Sequence, residues 1–123
     1  PGTSTYLMES HHANARAMID AGLPVAVASD FNPGSCQFYA AGLIQTLSML
    51  QLKMSASEAL IAGTLHGAFA LGMGLETGAI EPGRRMDLVL LRATSFRELG
   101  YRAGDNLVDT VIAGGIPVLH HEE

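Results

Sequence analysis

The chain has 123 residues, 48% of them hydrophobic and 15% charged, with a formal net charge of −5 at pH 7. This composition can fill the core of one modest domain, while the acidic balance, with Arg84 and Arg85 as the only basic pair, argues against nucleic-acid or anionic membrane partners. The single Cys36 excludes an internal disulfide and is expected to be a small buried residue; with no signal-peptide pattern and no membrane-length apolar run, we expect a cytoplasmic protein.

The first predicted elements are a helix over 6–21 and a strand that follows it. Apolar residues recur at helical spacing in the first stretch, and Gly22 followed by Pro24 is a typical helix stop. Residues 24–29 form an apolar run that is too short for an amphipathic helix and is typical of a buried parallel strand. Asp30 should therefore lie just beyond the carboxyl end of a strand, where α/β proteins collect catalytic groups.

Two further helices are predicted after a loop of turn-forming residues. Apolar side chains repeat at helical spacing over 37–52, which predicts the second helix. Ser55 with Glu58 three residues later is the capping-box pattern, and it opens a third helix over 56–71.

The composition changes at 72–74, beyond which glycines and prolines separate short β-type runs. Glycines at 114–115 predict a hairpin turn, and a turn or short helix is expected near 95–100. We therefore divide the chain into an α/β segment, 1–74, and a small β unit, 75–123. The β-type runs are 79–80, 87–91, 107–113 and 116–119.

Two segments resemble known enzymes. Residues 29–35 read Ser-Asp-Phe-Asn-Pro-Gly-Ser and resemble the D-x-N-P-G-[ST] segment of the imidazolonepropionases, metal-dependent amidohydrolases of histidine degradation. Residues 78–91 resemble the G-x-I-x-x-G-x-x-A-D-L-V segment of amidohydrolases generally, with Met86 in place of the usual alanine. The first motif points to one enzyme family, and the second points only to the superfamily.

The resemblance implies that the chain is the carboxyl-terminal part of a longer enzyme. A complete (β/α)₈ barrel takes roughly 250 residues. The implied fold class is therefore α/β, with the last strand and helices of an amidohydrolase barrel and the carboxyl-terminal strands of the small β-sandwich domain. The family takes its other metal ligands from histidines on earlier strands, so the implied Zn or Fe cofactor belongs to the complete enzyme and its site is incomplete here.

Asp30 is the candidate catalytic residue and the candidate metal ligand. A carboxylate at a strand end can bind a divalent ion and take a proton from metal-bound water, whose pKa the ion lowers. An Asx turn or a loop cap is the structural alternative for an aspartate followed by Asn-Pro-Gly.

Asn32, Gly34 and Ser35 match positions that contact the substrate in the family. A tight turn at 33–34, ahead of the second helix, predicts that the backbone N–H groups of 34–36 point outward at a helix N-terminus and suit a propionate carboxylate. Ser35 could instead cap its own helix.

The remaining polar residues are expected to have structural roles. His11 and His12 are adjacent on the first predicted helix, and we expect both to be solvated. His66 shares a helix face with small residues and should be buried and hydrogen-bonded. Asp87 should form a local turn or a salt bridge with a neighbouring arginine.

Three functional hypotheses follow. In the leading one, the parent enzyme hydrolyses the C–N bond of 4-imidazolone-5-propionate, a small-molecule substrate, to N-formimidoyl-glutamate, and the isolated chain is inactive. Another cyclic-amide or deaminating amidohydrolase fits the second motif equally well. A non-catalytic folding or assembly module fits the lack of a complete metal constellation. Because a truncated barrel exposes strand edges and apolar faces, we also expect a homo-oligomer, most simply a symmetric dimer.

Overall fold

The computed structural model describes residues 1–120, which form six short helices and one three-stranded antiparallel sheet. Within this range, no helix is long and apolar enough to cross a lipid bilayer. The helices are α1 (Gly2–Tyr6), α2 (Ala15–Asp20), α3 (Ala41–Gln51), α4 (Ala56–Gly63), α5 (Leu65–Ala70) and α6 (Glu98–Tyr101). The strands are β1 (Leu88–Leu91), β2 (Val108–Ala113) and β3 (Ile116–His120).

The prediction of one helix over 6–21 is wrong, because two short helices and a non-helical link occupy this stretch. Helix α1 ends before Met8, whose φ of 54° lies in the left-handed region that an α-helix excludes. Helix α2 begins after Asn14, whose side-chain oxygen accepts a hydrogen bond from the Ala17 N–H at 3.2 Å. The apolar spacing continued across the link, but the asparagine cap marked a separate helix start.

The prediction of a strand over 24–29 is also wrong, although this segment is extended and not helical. A β-strand is defined by its hydrogen-bonded neighbour, and within the described residues no strand pairs with this segment. Helices supply its backbone contacts instead. The Val27 N–H donates to the Ala62 carbonyl at 3.1 Å, and the Val25 carbonyl lies 3.0 Å from His66 Nδ1.

The core of the helical part lies where α2, α4 and the residues after α3 meet. Val25 and Val27 of the extended segment pack against this core, partly buried, and so fix the direction of the chain that leads to Asp30. The buried members of the core are Ala15, Leu52, Met54, Ala59 and Ala62.

The second and third helices differ from the predicted ones in length. Helix α3 begins at Ala41, four residues later than predicted from 37. The third helix is divided at Thr64, whose φ of −119° and ψ of −88° break the helix into α4 and α5.

The capping box at the start of α4 is confirmed. Ser55 Oγ accepts from the Glu58 N–H at 3.3 Å, and the Ser55 N–H donates to Glu58 Oε2 at 2.7 Å. Arg16 of α2 also donates to both carboxylate oxygens of Glu58 at 2.9 Å. These bonds join α2 to the start of α4. The Arg16 guanidinium, with the Ser55 N–H, also lowers the pKa of Glu58 from 4.5 to about 2.

The second half of the chain forms the predicted β structure in the order β1-β2-β3. Gly114 and Gly115 have φ values of 58° and 86° and form the predicted turn between β2 and β3, where a side chain would strain the backbone. The short helix α6 is confirmed near 95–100, whereas 79–80 is not a strand. Helix α6 packs against α3. The division between 1–74 and 75–123 stays a prediction.

Asp87 has the structural role expected of it. Its carboxylate accepts from Arg85 Nε at 2.6 Å, from Thr77 Oγ1 at 2.9 Å and from the Gly114 N–H at 2.9 Å. The Gly114 N–H, followed by Arg85, holds the pKa of Asp87 below its usual range. Asp87 therefore anchors the hairpin turn to the start of β1.

Candidate active site

Asp30 lies at the end of the extended segment, in a loop that Asn32 and Cys36 close. The Asn32 N–H donates to the Cys36 carbonyl at 2.9 Å, and the Cys36 N–H returns a bond to the Asn32 carbonyl at 3.3 Å. Asp30 is exposed and has a φ of 59°, a left-handed conformation that aspartate tolerates better than most side chains. The loop thus presents an aspartate to solvent on a defined backbone, above the buried Cys36 that the sequence predicts.

The Asp30 carboxylate is held from α1. Thr3 Oγ1 donates to Asp30 Oδ2 at 2.6 Å. Helix α1 can approach this closely because Gly2 has no side chain: a Cβ there would overlap the Ser29 carbonyl oxygen and lie 2.8 Å from Cys36 Sγ. Sequence reasoning missed Thr3, because no local pattern links it to a residue 27 positions away.

Asn32 organises the rest of the loop. Its Oδ1 accepts from the N–H groups of Gly34 and Ser35 at 3.0 and 2.8 Å, and from Ser35 Oγ at 3.0 Å. Its Nδ2 donates to the Asp30 carbonyl at 2.8 Å. The Asx turn considered for the aspartate is therefore made by Asn32. The four predicted site residues, Asp30, Asn32, Gly34 and Ser35, lie together.

The prediction of outward-pointing N–H groups at a helix N-terminus is wrong. The N–H groups of Gly34 and Ser35 point inward to the Asn32 side chain, and that of Cys36 donates to the Asn32 carbonyl. Helix α3 begins only at Ala41, so Ser35 does not cap it. Asn32 accepts from all three N–H groups, from two through its side chain and from one through its backbone carbonyl, which removes them from any anion site in this conformation.

The described residues fit a metal ion only as a partial ligand set. Within 1–120, no three His, Cys, Asp or Glu side chains are grouped so that they could hold an ion. A catalytic zinc normally takes three protein ligands plus water. The exposed carboxylate of Asp30 can bind a divalent cation through its oxygens, so the chain can supply one ligand at this position.

The histidines contribute no ligand cluster. His11 and His12 lie in the link between α1 and α2, not on a helix as predicted. His11 is exposed, as expected, and its Nδ1 is 2.8 Å from Ser10 Oγ, but His12 is partly buried and its Nδ1 has no partner in the described part of the chain. The expectation of a solvated His12 is therefore wrong. His66 is half-buried and hydrogen-bonded through Nδ1 to the Val25 carbonyl, close to its predicted role.

The chain combines short helices, a small antiparallel sheet and a loop that presents Asp30 at the end of an extended segment, and the sequence comparison identifies its family. The model of the amidohydrolase family matches residues 3–118, and the chain belongs to that family. Its relatives include the imidazolonepropionase of Shouchella clausii, 44% identical over 115 residues, which cover 94% of this chain and 26% of the relative. The imidazolonepropionase of Bacillus velezensis is 43% identical over 122 residues, covering 99% of this chain and 29% of the relative. The chain thus spans little more than a quarter of the length of these curated relatives.

Solved structures show the same fold. An adenosine deaminase from Xanthomonas campestris with bound zinc superposes with a TM-score of 0.86 at 27% identity, over 98% of this chain and 31% of that one. The E. coli guanine deaminase gives a TM-score of 0.80 at 20% identity, over 99% of this chain and 33% of that one, and shows the fold alone. The predicted resemblance to amidohydrolases is confirmed.

Proposed function

We propose that the chain is the carboxyl-terminal part of an imidazolonepropionase, which hydrolyses the C–N bond of 4-imidazolone-5-propionate to N-formimidoyl-glutamate in histidine degradation. The observation that carries this proposal is the loop at 29–35, where Asp30, Asn32 and Ser35 are drawn together in a chain 44% identical to a relative of that name. In this proposal, the chain forms the last strand and helices of the barrel with strands of the small β-sandwich domain.

Asp30 would hold the ion and move the proton. When bound, a zinc or iron ion would polarise the ring carbonyl and lower the pKa of a water molecule. Thr3 occupies Oδ2 of Asp30, while Oδ1 has no hydrogen-bond partner among residues 1–120. The carboxylate therefore combines a fixed orientation with a free oxygen, which suits a ligand that also accepts a proton.

Asn32, Gly34 and Ser35 would hold the substrate. The Ser35 hydroxyl now donates to Asn32 Oδ1, and a hydroxyl can rotate to donate to another acceptor. We propose that it turns to the propionate carboxylate, while Asn32 keeps the N–H groups of Gly34 and Ser35 and so maintains the shape of the loop.

The partners follow from the same proposal. The substrate is a small molecule, nucleic acid and membranes are not partners, the enzyme is cytoplasmic and the isolated chain forms a homo-oligomer. Large apolar side chains that lie open in the isolated chain support the last point, among them Met8 at 89%, Ile80 at 88% and Leu75 at 81% exposure.

A second candidate is a deaminating amidohydrolase. The superposition on the Xanthomonas campestris adenosine deaminase favours it, since that protein matches 98% of this chain with a TM-score of 0.86. Both reactions would use Asp30, so the two candidate functions are distinguished by which substrate is turned over.

A hybrid enzyme tests the proposal. This chain replaces the matching 115 residues of the Shouchella clausii relative, and the product is assayed with zinc or iron on 4-imidazolone-5-propionate, adenosine and guanine. We expect a clear preference for the imidazolone. A preference for a ring without a carboxylate would contradict the proposal. The isolated chain should show no turnover even with added Zn²⁺ or Fe²⁺, and measurable turnover would show that the other ligands are dispensable.

A further inference from the structure

Aromatic side chains are concentrated around the loop that carries Asp30. The chain has four phenylalanines, three tyrosines and no tryptophan, and more than half of these rings belong to the loop or to segments that contact it. They form two contacting pairs. The ring centroids of Tyr6 and Phe38 are 6.4 Å apart, and those of Phe31 and Tyr39 are 5.2 Å apart. At both distances aromatic rings attract each other.

The Tyr6–Phe38 pair joins α1 to the link between the loop and α3. Phe38 is partly buried, and Tyr6 lies on the same helix as Thr3, the residue that holds the site carboxylate. The Phe38 carbonyl also accepts from the buried Cys36 thiol at 3.5 Å. This first pair therefore fixes the link that presents Tyr39.

The Phe31–Tyr39 pair differs from the first because both of its rings are open to solvent. Phe31 is 56% exposed and Tyr39 is 75% exposed. Their planes meet at 78°, so the edge of one ring meets the face of the other. Two rings in this arrangement cannot cover each other's faces, so aromatic surface remains available for a further contact, which apolar burial would favour.

Phe31 lies between two residues of the candidate site, and its backbone is fixed. Its N–H donates to Ser29 Oγ at 3.1 Å, and Asn32 closes the loop directly after it. In an extended strand, neighbouring side chains point to opposite faces. This alternation is interrupted at Asp30, whose φ of 59° is left-handed. One ordered loop therefore carries both the Asp30 carboxylate and the Phe31 ring, and both residues are exposed.

We propose that Phe31 and Tyr39 are specificity residues that stack on the planar ring of the substrate beside Asp30. This inference rests on the proposed function and adds recognition of the ring to it. A conjugated planar ring gains from contact with an aromatic face, whereas a puckered saturated ring has no flat face to offer. The substrate class that fits is a planar conjugated ring that bears a carboxylate chain.

The Michaelis constant of the hybrid enzyme tests this assignment. A contact made equally to the bound substrate and to the transition state changes KM and leaves kcat unaltered. Phe31→Leu and Tyr39→Leu should each raise KM for 4-imidazolone-5-propionate about fivefold, with kcat within about twofold of the unmodified value. Phe31→Tyr and Tyr39→Phe keep the rings and should leave KM close to that of the unmodified hybrid.

Tyr101→Leu is the matched control, because Tyr101 is 87% exposed on α6, outside the loop. It removes an open ring and should not change KM. Unchanged KM in both Phe31→Leu and Tyr39→Leu would overturn the proposal. An equal rise in KM for Tyr101→Leu would also overturn it, since the effect would then not belong to the site.

Binding of a probe to the hybrid enzyme supplies a readout that does not depend on turnover. The probe is 3-(imidazol-4-yl)propionate, and 3-cyclopentylpropionate carries the same carboxylate chain on a saturated ring. In proton NMR, the imidazole ring protons should move upfield on binding, because the face of an aromatic ring shields protons above it. Phe31→Leu should remove most of this shift, and the saturated compound should show little. Equal shifts for the imidazole probe with the unmodified hybrid and with Phe31→Leu would overturn the proposal.

The two readouts separate the stacking from the proposed function. A hybrid that does not turn over the imidazolone, yet shifts the imidazole protons in a way that depends on Phe31, refutes the proposed function alone. A hybrid that turns over the imidazolone with the same KM in the leucine variants refutes the stacking alone.

Discussion

Asp30 is oriented by one residue that lies 27 positions earlier in the chain and one that lies two positions later. Thr3 binds its carboxylate, and Asn32 binds its backbone carbonyl and closes the loop. The D-x-N-P-G-[ST] segment predicted that Asp30 and Asn32 lie together in one loop, because its turn chemistry is local. It could not predict Thr3, since that contact depends on how α1 packs, nor the inward-facing N–H groups, since the side chain of Asn32 takes them.

Loss of the Thr3 hydroxyl should release the Asp30 carboxylate. In the hybrid enzyme, Thr3→Val should lower turnover by roughly tenfold, as is typical for a partner that orients a metal ligand. Thr3→Ser keeps the hydroxyl and should stay near the unmodified rate. In the isolated chain, carbon-13 NMR should show a shifted Asp30 carboxyl resonance for the valine variant only. An unshifted resonance would mean that the 2.6 Å hydrogen bond does not hold the carboxylate in solution.

At the level of elements, the predictions that rest on local sequence signals are confirmed, whereas the predicted helix boundaries are wrong. The capping box at Ser55 and Glu58 and the hairpin at 114–115 depend on neighbouring residues, so the sequence contains all the information needed. The strand at 24–29 depends on a partner that the described residues do not provide, and the first helix was broken by the cap at Asn14. Periodicity reports which side chains face the core, not whether the backbone between them stays helical.

The Glu58 carboxylate should make stability depend on pH. Its pKa falls from 4.5 to about 2 on folding, so its contribution is fully present above pH 4.5 and is lost as the pH falls towards 2. Glu58→Gln should lower the thermal midpoint at pH 7 by a few degrees and reduce the loss of stability between pH 4.5 and 2. Thermal unfolding followed by circular dichroism over this range measures both effects.

Glu76→Gln is the matched control, because Glu76 is exposed and its side chain has no partner in the described part of the chain. It should leave the midpoint and its pH dependence close to those of the unmodified chain. An equally steep acid loss in Glu58→Gln would assign the pH dependence to other carboxylates.

At the level of the whole molecule, the described residues leave two sheet edges and several large apolar side chains exposed. The sheet has β1 and β3 as its edges, and Val89, Val118 and Ile116 on these strands are 56%, 62% and 67% exposed. Open edges with apolar side chains are templates for association. The amidohydrolase fold could be predicted from the motifs, but the lack of a partner for these edges could not, because pairing depends on contacts that no local pattern records.

The isolated chain should therefore self-associate. Sedimentation velocity at micromolar concentration should show a species larger than the monomer, most simply a dimer, and dilution should shift it towards the monomer. A compact monomer at all concentrations would show that the chain covers its own apolar surfaces.

The turnover of 4-imidazolone-5-propionate by the hybrid enzyme with Asp30→Asn tests the central claim most directly. Asparagine keeps the size of the side chain but cannot accept the proton, so we expect turnover to fall by at least roughly 100-fold. Glu76→Gln in the same hybrid should keep the unmodified rate. Turnover by the Asp30→Asn hybrid within a few-fold of the unmodified hybrid would contradict the assignment of Asp30 as the catalytic carboxylate.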